Sequence, residues 1–250
     1  MTKPALPSSP STVPARAPSA PRRRTAASER QALAELASWI ERGELPEITP
    51  TRQERSLKST LAMLEAGRAL LADRSLEDLA IEAVCAGAGT TVGAFYGRFE
   101  SKIGFFRTLQ RVQTIRSQAD LAEFAALHGH TKGSLDDLCV AIVRLTVLNF
   151  QQNVGVLRAS LQHSREGMWQ VFKESGDRFR VILVERLAPH LTSLPPKTRR
   201  LRILFAYEAM AGVLVHATLN NPGPLGIDDV ELPRELVRLF KAYLLAPDAV

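Results

Sequence analysis

From Thr51 onward the apolar residues of this chain recur three and four positions apart, and no stretch alternates apolar with polar as a half-buried strand must. Met63, Leu64, Ala66, Gly67, Leu70 and Leu71 form one such stripe. Leu135, Leu138, Cys139, Ile142 and Leu145 form a second, and Trp169, Phe172, Gly176, Phe179 and Leu183 a third. Leu201 to Leu219 is apolar nearly all round, so both its sides need cover. Pro233 suits the first turn of a last helix with the stripe Leu236, Leu239, Phe240, Tyr243 and Leu244. These spacings predict an all-α fold.

Several function classes lose support at once. No apolar run reaches the roughly 18–20 residues of a membrane span without a charge in it. The run from Leu201 to Leu219 contains Arg202, Glu208 and His216, and it reads as a buried helix. Cys85 and Cys139 stand far apart, with no histidine at metal-ligand spacing, and read as small reduced core residues. The histidines at 128, 130, 163, 190 and 216 are scattered, and no nucleophile–base pair has a recognisable spacing. The expectation is therefore no enzyme, no metal and no cofactor.

Residues 1–28 contain six prolines, five basic side chains and no acidic one. Such a composition lacks the apolar content for a core. Residues 1–50 are therefore expected to be a disordered, basic, Pro-rich arm, with a possible short helix at 28–42 carrying Leu33, Leu36 and Ile40 on one side, and dispensable for folding. The net charge of +6 is unevenly spread. Residues 1–50 carry seven basic and five acidic side chains, 51–118 carry ten and seven, and 119–250 carry fifteen and fourteen. A basic first half suits a polyanionic partner.

Residues 76–106 hold the most telling local chemistry. Asp78 is a plausible N-cap for a short helix ending near Ala86, with Ile81, Val84 and Cys85 facing inward. Gly87, Ala88 and Gly89 allow a tight turn, and Thr90 or Thr91 caps a second short helix with Phe95 and Phe99 inside. Two short helices joined by small residues form a helix-turn-helix over about 78–98, whose second helix presents its first residues to a DNA major groove.

The spacing of Met63-Leu64, Ala66-Gly67, Leu70-Leu71, Ile81, Val84-Cys85, Ala88-Gly89, Thr91, Gly93, Phe95-Tyr96, Phe99, Ser101-Lys102 and Phe105-Phe106 resembles the DNA-binding domain of the tetracycline-repressor (TetR) family over roughly a fifth of the chain. The chain departs from that pattern at Leu79, where the family usually has a capping Thr, and at Ser75, where Gly is usual. The resemblance implies an N-terminal three-helix DNA-binding domain at 51–117 and a helical effector-binding and dimerisation domain at 118–250. It implies phosphate contacts from Thr91, Tyr96, Arg98 and Lys102, base-edge contacts from Thr90, Val92 and Ala94, and a close approach at Gly93. It also implies a cytoplasmic homodimer on a near-palindromic double-stranded operator, released by a small-molecule effector. The near-neutral, apolar C-terminal half suggests an apolar or aromatic effector, with His163, Arg165, Trp169, Tyr207, Glu208 and His216 as candidate pocket polars. Positions 90, 92 and 94 carry no Arg, Lys, Asn or Gln, so bidentate readout of bases is poor. A less specific architectural DNA binder is the competing reading.

Overall fold

The computed structural model describes residues 25–50, 53–128, 133–220 and 223–247. The described residues form ten α-helices and no strand: α1 (Ala26–Glu41), α2 (Glu54–Leu71), α3 (Ile81–Gly87), α4 (Val92–Tyr96), α5 (Lys102–Leu127), α6 (Leu135–Gln152), α7 (Val154–Gln162), α8 (Gln170–Leu187), α9 (Pro196–Leu219) and α10 (Leu232–Leu244). Their buried apolar residues fall into two clusters. One takes in α1 to α4, the first half of α5 and, from α7 and just beyond, Val156, Ala159 and Met168. The other gathers the second half of α5 with α6 and α8 to α10. α5 belongs to both, giving Phe105, Phe106, Leu109 and Val112 to the first and Leu121 and Phe124 to the second.

α9 has the length and apolarity of a membrane span. Its Ile203, Ala206, Met210 and Leu214 are buried in the second cluster, but Leu201, Phe205, Val213 and Leu219 are exposed, so only one of its two sides is covered, against the expectation of a buried helix. Cys85 and Cys139 are free and buried.

The possible short helix at 28–42 is present as α1, but residues 25–50 as a whole depart from the expected disordered arm. They form an ordered helix and a strap, not a tail. Thr25 caps α1 by accepting from the Ser28 amide at 3.3 Å. The helix buries Ala32, Leu33, Leu36 and Trp39 in the first cluster, and Leu45 and Ile48 follow from the strap. The Trp39 ring also lies under the Arg116 guanidinium, 5.7 Å from carbon to centroid. Ile48 bridges Phe99 in antiparallel fashion, and the Thr49 amide donates to the Arg98 carbonyl at 2.9 Å. Glu47 pairs with Arg111 of α5 at 3.0 Å. Leu33, Leu36 and Trp39 face α2 and α5, a burial that the low apolar content of residues 1–24 ahead of them did not suggest. Arg22, Arg23 and Arg24 lie outside the described residues.

The two cores meet where α7 crosses the end of α2. A Cβ on Gly155 would lie 2.1 Å from the Leu71 carbonyl oxygen, so only glycine permits this approach. Arginines fasten the crossing from both sides. Arg158 donates to the carbonyls of Leu71 and Ala72 at 3.0 and 2.6 Å, and Arg68 of α2 donates to Gln152 at the end of α6 at 2.7 Å. These bonds satisfy helix-terminal carbonyls that have no partner within their own helix.

Leu36, 1% exposed, tests the ordered N-terminal segment. Leu36→Ala should lower unfolding free energy by about 2–5 kcal/mol, the range for a buried leucine truncation. Chemical denaturation measures this, and a change near zero would restore the view that the segment is a tail.

Candidate nucleic-acid interface

The turn between α3 and α4 closes by backbone geometry. Gly89 takes a left-handed φ of 61°, which L side chains rarely adopt. The Thr90 amide then reaches back to the Cys85 carbonyl at 2.9 Å and the Gly89 amide to Ala86 at 3.2 Å. This pair of bonds is a Schellman closure, which satisfies the last carbonyls of α3 and stops the helix. Thr91 begins α4, its hydroxyl accepting from the Ala94 amide at 3.2 Å. The Thr90 hydroxyl accepts from Ser59 of α2 at 3.2 Å, which holds the start of α4 beside the second turn of α2.

Beneath α4, Phe95, Phe99 and Phe105 are fully buried, with ring centroids 4.9–5.2 Å apart. Gly67 on α2 makes room for this cluster, since a Cβ there would lie 2.4 Å from the Phe105 ring. α4 is only five residues long. An isolated helix of that length is unstable in water, so the aromatic cluster fixes its orientation.

One expectation fails beside this unit. Asp78 does not cap α3, which starts later, at Ile81, with Ala80 at the cap position and no side-chain hydrogen bond. Asp78 instead bonds Ser75, through its carboxylate at 2.8 Å and its amide at 3.1 Å. Leu76 and Leu79 plunge into the core, 2% and 1% exposed, and so draw residues 76–79 away from a helical path.

The predicted contact residues differ in exposure. Thr91, Gly93, Ala94 and Tyr96 are exposed, Tyr96 at 54%, so the tyrosine does not fill the core. Thr90 is half-buried, and half-buried Val92 packs against the first core, so only part of its side chain is free. Arg98 is half-buried, with a long 3.4 Å bond from its Nη1 to the Thr49 carbonyl. Lys102 opens α5 after Ser101, whose hydroxyl caps the helix by accepting from Gly104 at 3.0 Å. The Lys102 Nζ donates to the Glu77 carbonyl at 2.9 Å, which leaves two further N–H donors. A lysine at the capped start of a 26-residue helix suits an anion.

Residues 63–109 match the family described as bacterial regulatory proteins, tetR family. The chain carries a TetR-family DNA-binding domain. No curated protein matches the chain. The matched segment starts inside α2 and ends in the second turn-pair of α5, so α1 and the strap lie outside it. The matched segment therefore packs against N-terminal residues outside it, which touch Arg98, Phe99 and Arg111.

Across α7 from this domain lies a cavity of about 690 Å³. Its walls include Phe150, Leu157, Trp169, Phe172, Phe179 and Tyr207. Trp169 and Phe172 stack at 5.2 Å, and Phe179 meets Tyr207 edge-on at 5.2 Å. Burial pushes the Tyr207 hydroxyl up to about 12, so it stays a neutral donor. The charges at the wall balance, with Lys173 and Arg180 against Asp177 and Glu208, and Arg180 pairs with Asp177 at 2.5 Å. Of the predicted pocket residues, Trp169, Tyr207 and Glu208 line this cavity. His163, Arg165 and His216 do not. His163 has turned toward the α2–α3 link, Arg165 is exposed on a 3-10 turn, and His216 lies exposed on α9, 3.4 Å from Asn220. Among the described residues no cluster of His, Cys, Asp or Glu could hold a metal.

Sequence reasoning missed Thr49, Glu47 and Ser59, whose roles depend on partners 31 to 64 positions away. Thr91 supplies a direct test. Thr91→Ala should cost about 1 kcal/mol through the lost cap. Amide exchange should quicken at Ala94 and Phe95 and little elsewhere, while Thr91→Ser should stay close to the parent.

Proposed function

We propose that the protein is a homodimeric, operator-specific transcriptional regulator, acting as a repressor that a small apolar or aromatic molecule releases from DNA. The observation that carries this reading is the division of the fold by α7. One side of α7 abuts α2 of the DNA-binding unit at Gly155 and Arg158, and the other lines the cavity with Leu157 and Leu161. A molecule that reshapes the cavity wall thus acts on the helix that seats the recognition unit. In this reading residues 51–117 are the DNA-binding domain and 118–250 the effector and dimerisation domain.

Thr91, Tyr96, Arg98 and Lys102 take phosphate contacts, Thr90, Val92 and Ala94 face base edges, and Gly93 admits the backbone closely. A dimer places two such units on successive major grooves only at a separation of about 34–36 Å or a multiple of it. An effector that favours another separation weakens DNA binding, and DNA weakens effector binding by the same factor, typically about 1–3 kcal/mol. The dimer surface in this reading is the outer face of α9 and α10. There Leu201, Phe205, Leu239 and Tyr243 are 64, 52, 41 and 38% exposed, and the rings of Phe205 and Tyr243 lie 5.2 Å apart. Such a patch favours a second apolar surface.

The aromatic walls and balanced charges of the cavity support an apolar or aromatic effector. The exposed face of α4 favours one alternative, an architectural DNA binder, because Gly93 and Ala94 supply no base-specific hydrogen bond. Footprinting separates the two: a short protected palindrome supports the regulator, and diffuse protection the architectural protein.

Phosphate contacts carry no base information. Lys102→Ala should therefore weaken binding to all duplexes alike and reduce the salt slope by about 1. Ala94→Ser should instead change the preferred site. A shifted preference with Lys102→Ala, and none with Ala94→Ser, would reverse these roles. For the dimer, Phe205→Glu should give monomers by sedimentation, and dimers of unchanged strength would exclude this face.

A further inference from the structure

We infer that His163, a residue of the effector half, is a positioning residue for DNA binding: it holds the α2–α3 link through Glu77 and thereby sets Lys102. The inference rests on the phosphate role of Lys102 proposed above.

His163 ends α7, and its side chain is only 16% exposed. The ring lies between two carboxylates. Nε2 is 2.8 Å from Glu77 Oε1, and Nδ1 is 3.0 Å from Glu166 Oε1. Nδ1 hydrogen-bonds Glu166, whereas Nε2 faces Glu77 at ion-pair distance without hydrogen-bond geometry. The attraction to Glu77 therefore depends on the charge of the imidazolium, which neutral imidazole lacks. Glu77 comes from the link between α2 and α3, and Glu166 from the 3-10 turn Ser164–Glu166 that follows His163. These are the charged groups that face the ring.

Glu77 has a second attachment. Its backbone carbonyl accepts from Lys102 Nζ at 2.9 Å. One residue of the DNA-binding unit is thus held from behind by a cation of the effector half and from the front by the first residue of α5. Leu76 and Leu79, buried on either side of Glu77, also pin the link. Asp78 is occupied by Ser75, and α3 begins without a side-chain cap. When His163 is neutral, the ring no longer attracts the Glu77 carboxylate by charge, and the residue whose carbonyl orients Lys102 is held less tightly.

The hydrogen bond that the ring donates to Glu166, with the charge of Glu77 added, holds His163 above its ordinary 6.5 against the opposing effect of burial. The sign follows directly. The ion pair is complete below the ordinary histidine value, and it is lost as pH rises through the raised value in the folded protein. DNA affinity should fall along the same course.

The test uses the full chain and a fluorescent random-sequence duplex pool, at constant ionic strength, between about pH 5.5 and 8.5. Parent affinity should drop about three- to tenfold across this range, a coupling of the usual size for linked sites. His163→Gln, which hydrogen-bonds but carries no charge, should bind at the weaker level at every pH. His163→Lys, a fixed cation over the range, should restore the stronger level and flatten the profile. In a Lys102→Ala background the His163→Gln effect should largely vanish. If Lys102→Ala binds as tightly as the parent, the phosphate reading itself has failed. If Lys102→Ala weakens binding but His163→Gln keeps the parent's pH profile, the positioning role of His163 has failed alone. A melting temperature lowered equally by His163→Gln and His163→Lys, with neither profile altered, would make the residue structural only.

Discussion

The rest of this structure depends on how closely α7 can approach the end of α2. That approach is set by the missing side chain at Gly155, which lets backbone meet backbone at Leu71. The approach would strand the last carbonyls of α2 away from water, and Arg158 satisfies them with its guanidinium. Arg68 does the same for α6 in the opposite direction. Two helix ends from different cores thus share one polar seam, with Val156 and Ala159 supplying the apolar contact beside it. Because the seam is directional, α2 and α7 cannot slide past each other without breaking several charge-assisted bonds together.

The recognition unit reads well from sequence because its determinants are local. Gly89, Thr91, Phe95 and Phe99 each act within a few residues of their position, through φ, a cap or a helical face. The helical stripes of α2, α6 and α10 were legible for the same reason. What escaped was long in range. The apolar side of α1 was legible as Leu33, Leu36 and Ile40, but its burial, with Trp39, depends on partners in α2 and α5. Asp78 has the chemistry of a cap, but Leu76 and Leu79 on either side are drawn inward and claim the backbone first.

The candidate cavity was partly legible. Trp169, at the start of α8, and Tyr207 and Glu208 of α9 do reach the cavity. His163 and His216 share their residue type with many ligand contacts, but residue type does not place a side chain. His163 lies at a helix end, where the next turn bends away, and its nearest neighbours are acidic groups from two directions. His216 faces outward because Leu214 and Ala217 take the inward side of that turn.

The strap formed by residues 42–50 has a consequence for how this chain can vary. Ile48, Thr49 and Glu47 are attached to Phe99, Arg98 and Arg111, so the end of the recognition helix is bounded by residues that lie outside the family-matched segment. The unit that reads DNA is therefore not a cassette with edges at 63 and 109. A graft of those residues onto another scaffold would carry Phe99 and Arg98 without their cover. It would also leave α2 without the apolar face of α1. Substitutions in the strap and in the loop after α4 are bound to one another in the same way, and a lineage that changes one inherits pressure to change the other.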